Sequence, residues 1–133
     1  MSPKDELDQV LNDIMPLVEE RLARDGNCYP FAIVYAGREK RIVSALEQGE
    51  DPAVLLTERL KKEAKDPAVR AIGLAVEVTI TLRSVPNTRA MRLSLEHALG
   101  DSVDVFIPFE LHGGRLEIGE IIAQARSREF FGS

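Results

Sequence analysis

The sequence predicts an α+β protein, a two-layer sandwich with helices on one face of an antiparallel sheet of about five or six strands. Three observations predict it. Leu7, Val10, Leu11, Ile14, Leu17, Val18 and Leu22 recur at three- and four-residue spacing, which gathers them on one face of a helix. Ile72, Leu74, Val76, Val78, Ile80 and Leu82 alternate with Ala71, Gly73, Ala75, Glu77, Thr79 and Thr81, the two-residue period of a long strand with one buried face. Further alternating runs follow, parted by glycine-containing turns. The order expected is α-β-β-α-β-β-β-β, with a possible short C-terminal helix.

Each element has a local reason. Ser2 suits the N-cap of the first helix, Pro3 its first position, and Asp5 completes a Ser-x-x-acid capping pattern. Gly26 suits its end, and Pro16, which lacks an N–H, predicts a kink or break. Residues 29–36 (Tyr-Pro-Phe-Ala-Ile-Val-Tyr-Ala) read as a strand, turned by Gly37-Arg38 into a second at 40–46, which pairs Ile33 with Ile42. Residues 48–52 form a loop, and Asp51-Pro52 opens a second helix that runs to about Lys65 and ends at Asp66-Pro67.

Beyond the long strand, Met91, Leu93 and Leu95 alternate, as do Val103, Val105, Ile107, Phe109 and Leu111. If facing residues share a face, Val78 pairs with Leu95, and a three-residue loop at 100–102 pairs Leu95 with Ile107. Gly113-Gly114 makes a two-residue hairpin loop that pairs Phe109 with Ile118. Residues 119–131 are expected to hold a short helix carrying Ile121, Ile122 and Ala125.

Composition narrows the classes of function. The chain has 133 residues, and 17 Lys plus Arg against 22 Asp plus Glu give a net charge of −5. A single domain over residues 1–133 is the expectation. Nucleic-acid binding calls for a basic face with stacking aromatics, and this chain is acidic, with 5% aromatics and no tryptophan. No apolar run nears the ~20 residues of a membrane span, and the polar start carries no signal-peptide pattern. Cys28 is the sole cysteine, so an internal disulfide is impossible and zinc-type cysteine spacings are absent. A reducing cytoplasm is the expected location.

The stretch Glu96-His97…Gly100…Val103-Asp104-Val105…Pro108-Phe109 resembles a pattern in small bacterial proteins to which no activity is attached. The element order resembles the roadblock/longin and profilin-like folds. That resemblance implies a dimerising or partner-binding scaffold.

Candidate chemistry is sparse. The serines lie in no Gly-x-Ser-x-Gly elbow, and there is no Walker loop or GxGxxG. No catalytic residue and no cofactor is expected. His97 shares parity with Leu93 and Leu95, so it points inward; a pocket beside it would draw on Tyr29 and Tyr35. The predicted register sets Glu77 opposite Glu96, a carboxylate pair that would call for a cation, a shared proton or arginine neighbours. His97, His112 and Asp104 are expected to lie apart, so no metal site is expected. Phe106 and Pro108 fall on the outward parity of their strand, and Phe130-Phe131 stands near the C-terminus. They mark either an interaction surface or a tail folded back onto the sheet. The leading reading is a non-enzymatic module that binds a protein partner or itself as a homodimer. The alternative is a small-molecule binder or minor enzyme with its pocket near His97.

Overall fold

In the computed structural model, which describes residues 2–44 and 51–132, the chain forms two helices and a seven-stranded antiparallel sheet. Helix α1 (Pro3–Asp25) begins at Ser2, whose side chain accepts from the Asp5 N–H while its own N–H donates to the Asp5 carboxylate. This capping box satisfies donors a helix start leaves open, worth ~1 kcal/mol. α1 buries the stripe Leu7, Val10, Ile14, Val18 and Leu22, runs unbroken through Pro16, and stops at Gly26, whose φ of 76° is the left-handed cap. Strands β1 (Phe31–Ala36) and β2 (Glu39–Ser44) pair as expected, Ile33 facing Ile42. Residues 45–50, which include the end of the expected second strand and most of the loop after it, lie outside the described residues. Helix α2 (Pro52–Glu63) is capped by Asp51, whose carboxylate accepts from the Ala53 N–H, and it buries Leu56 and Leu60.

Strands β3 (Val69–Leu82), β4 (Val85–His97), β5 (Ser102–His112), β6 (Arg115–Ile118) and β7 (Ile122–Ala125) complete the sheet, in the order β2-β1-β3-β4-β5-β6. β7 pairs with the first half of β5 and β6 with its second half, so the two share one edge. Among the described residues no helix is long and apolar enough to cross a membrane.

The α+β class holds, and three finer expectations are corrected. First, the helices lie on opposite faces. α1 packs on Phe31, Ile33, Tyr35, Ala71, Ala75, Met91, Leu93 and Leu95, whereas α2 packs with Ala32, Val34, Ile72, Leu74 and Val76. The cause is visible in β1, where Phe31, Ala32, Ile33, Val34 and Tyr35 are all buried; an unbroken apolar run is the mark of a strand covered on both sides.

Second, β3 faces β4 with the other parity: Gly73 pairs with Leu95 and Val78 with Ala90. The tight turn at Arg83-Ser84 uses φ of 49° and 67°. The register then slips between the Leu82–Val85 and Ile80–Thr88 pairs, leaving an extra residue on β4 beside Asn87, whose φ is 58°. One extra residue flips every side chain beyond it to the other face. The expected facing of Glu77 and Glu96 is therefore lost; Glu77 stands opposite Met91, and Glu96 opposite Ile72. Between β4 and β5 parity is kept but the turn comes earlier, pairing Leu95 with Val103.

Third, the C-terminal segment forms β7 rather than a helix. The first half of β5 would otherwise present an open row of backbone donors and acceptors, and β7 fills it, with Val105 facing Ala123 and Phe106 facing Ile122.

Candidate functional site

His97 is buried, 2% exposed, on the α1 face. Its Nδ1 accepts from the Leu99 N–H at 3.0 Å, which places the ring proton on Nε2. Nε2 lies 3.5 Å from a Glu6 oxygen, and the other Glu6 oxygen accepts from Arg70 at 2.9 Å. Tyr35 sits on the same level of the sheet, since Tyr35 pairs with Ala71 and Ala71 with His97. Its hydroxyl donates to Asp13, and burial, with the Asp13 carboxylate, pushes the phenol above its ordinary pKa. Glu6 and Asp13 are two turns apart on α1, so the Glu6–Arg70 and Asp13–Tyr35 hydrogen bonds pin one helix face to the sheet, while His97 Nε2 itself has no hydrogen-bond partner. Tyr29 is exposed and stands two residues before Phe31, which pairs with Ala75. That puts it about six strand positions, roughly 20 Å, from the level of His97. His97, Tyr29 and Tyr35 are not brought together, and none of them lines the recesses at α2, at the β5–β6 hairpin, beside β7 or beneath Phe131.

The four residues expected to mark an interface are largely covered by the chain itself. Pro108 is buried and its carbonyl accepts from the Gly119 N–H; Phe106 is partly buried between Arg92 of β4 and Ile122 of β7. Phe130 and Phe131 are buried against the α2 face of the sheet, as in the folded-back alternative and not as an exposed interface. Glu96 holds them there. Its carboxylate is fully buried and accepts the backbone N–H groups of Glu129 and Phe130 at 2.9 Å and of Phe131 at 3.2 Å. Arg126, at 3.4 Å, neutralises it and also bonds Asp104 and Glu129. Arg128 donates to the carbonyls of His97 and Ala98. A buried carboxylate needs such donors, and three successive N–H groups form a ready anion nest. Glu77, on the opposite face, is bound instead by Arg89 and by the Cys28 N–H.

A different surface is open. On the α1 face, Leu7 and Leu11 of the helix, with Leu95, Val103, Val105, Ile121, Ala123 and Ala125, line a recess of about 570 Å3, rimmed by Lys4, Asp8, Asp101 and Gln124. The free edge of the sheet runs beside it. The Arg126 N–H donates to the Ser102 carbonyl, so by antiparallel alternation residues 122 and 124 also bond β5. The backbone groups of Ala123 and Ala125 therefore face outward along the edge. The two sheet edges differ sharply. β2 carries Glu39, Lys40 and Arg41, the charge that blunts an edge, whereas β7 reads Ile-Ala-Gln-Ala, with no charge, proline or bulge. The sequence hides this edge because Ile121, Ile122 and Ala125 also fit a helical spacing.

At the β5–β6 hairpin, Glu110, His112 and Glu117 bring one donor atom each within 4.8 Å of the others. His112 lies apart from His97 and Asp104 as expected, but these neighbours were missed. The signal was present, because pairing Phe109 with Ile118 also pairs Glu110 with Glu117. No family model, curated protein or solved structure matches the chain.

Proposed function

We propose that the protein is a non-enzymatic interaction module that self-associates, two copies joining their sheets through β7. The observation that carries this reading is the uncharged β7 edge with an apolar trough alongside it. An open edge donates and accepts main-chain hydrogen bonds without rearrangement, and antiparallel β7–β7 pairing about a two-fold axis is self-complementary. Ala123 and Ala125, small and exposed, let a second strand approach, and the apolar walls of the trough supply area to bury. The charges of β2 make the opposite edge a poor competitor. The single buried cysteine and the lack of any disulfide partner support a reducing, cytoplasmic setting for this module.

Light scattering after size exclusion tests the proposal. The chain is expected to elute at twice its own mass. Ala123→Pro removes an outward donor while leaving the β5–β7 bonds in place, and Ala125→Lys sets a charge in the trough. Both variants are expected to be monomeric with unchanged far-UV circular dichroism. A wild-type chain that stays monomeric at high concentration, or variants that remain dimeric, would overturn it.

A further inference from the structure

We infer that the β5–β6 hairpin is a binding site for a zinc-class divalent cation, held by Glu110, His112 and Glu117. Glu110 and His112 are two residues apart on β5, so they share a face, and Glu117 stands directly opposite Glu110 on β6. His112 Nε2 is 2.9 Å from a Glu110 oxygen and 3.8 Å from a Glu117 oxygen. Donors about 2.0–2.2 Å from a tetrahedral zinc stand roughly 3.3–3.6 Å from one another, so these distances bracket what the metal requires. All three side chains are more than half exposed, so small rotations close the set around an ion without moving the backbone.

The charge arrangement points the same way. Directly opposed carboxylates on paired strands repel. Arg115 lies across from His112 on this face, yet it makes no ion pair with either glutamate among the described contacts. A divalent ion at the His112 nitrogen would answer both carboxylates at once. The two-glycine turn, with φ of 57° at Gly113 and 83° at Gly114, fixes the hairpin register and so the spacing of the ligands. Glu110 and Glu117 also border a recess of about 320 Å3. One imidazole nitrogen with two carboxylates suits zinc and its neighbours; magnesium and calcium prefer all-oxygen shells.

The test is calorimetric titration of zinc chloride into the full chain, with any purification tag removed, at pH 7.5. One equivalent is expected to bind in wild type. His112→Ala is expected to weaken binding at least ~10-fold, and Glu117→Gln to weaken it while leaving the circular dichroism unchanged. Magnesium chloride at the same concentration is expected to give no saturable heat. Zinc affinity unaltered in His112→Ala, absence of zinc binding in wild type, or equal binding of magnesium would each overturn the assignment.

Discussion

Gly73 sits in β3 directly beneath α1, and a methyl group there would meet Val10 Cγ1 at 2.6 Å and Leu95 Cδ2 at 3.1 Å. Val10 is fully buried, and a β-branched side chain in a helix has essentially one rotamer, so it cannot swing aside. Replacing glycine in a strand usually gains stability by limiting the unfolded chain. Here the steric conflict decides the sign, and Gly73→Ala is expected to destabilise the fold by about 1–3 kcal/mol, read as a lower urea midpoint. An unchanged or higher midpoint would mean α1 rides farther from the sheet than described. The sequence places this glycine on the parity opposite the apolar run, the face expected to lie open. Its purpose depends on which helix crosses it, and that is set by tertiary packing. His97 was legible in the same partial way. Its parity fixed that it points inward, but its neighbours Glu6 and Leu99 come from the docking of α1 and the shape of the β4–β5 turn.

At the scale of elements, the helices, their caps and the hairpins at Gly37-Arg38 and Gly113-Gly114 could be read locally, because each is set by residues within a few positions. What could not be read was the relation between elements. The bulge beside Asn87 reverses the parity of β4 against β3, and with it the faces that Glu77 and Glu96 occupy. The segment after β7 was ambiguous because its partner, Glu96, lies some thirty residues earlier. This segment lies across the α2 face as a strap whose backbone N–H groups are held by the Glu96 carboxylate. Glu96→Ala would strip three N–H groups, two of them buried, of their acceptor and leave Arg126 without its buried partner. We expect a loss of about 3–5 kcal/mol. Trypsin should then cleave rapidly after Arg126 and Arg128, sites that the wild-type strap protects. Equal cleavage rates in the two proteins would show that Phe130 and Phe131 stay docked without Glu96.

For the whole molecule, the two most displaced titrations both belong to the α1 face of the core and act in the same direction. Burial pushes the Cys28 thiol up to about 11 against an ordinary 9.0, Arg21 offsetting part of this and Glu77 adding to it. Burial and the Asp13 carboxylate raise the Tyr35 phenol above its ordinary 10.0. In each case the unfolded chain gives up its proton at lower pH than the folded one. The contribution of these groups is thus fully present below pH 9, and it falls as pH rises through 9 to 11 for Cys28 and beyond 10 for Tyr35. Thermal midpoints are expected to be flat from pH 7 to 8.5 and to decline above pH 9. The double variant Cys28→Ala, Tyr35→Phe should decline less steeply, although its midpoint at pH 7 is lower because Asp13 loses its donor. The same burial makes the thiol a reporter of opening, because only the thiolate attacks a disulfide reagent. At pH 8 the native protein should react with a chromogenic disulfide at a small fraction of the rate seen in 6 M guanidinium. Equal rates would place Cys28 at the surface, and parallel alkaline declines in wild type and double variant would remove these two groups as the cause.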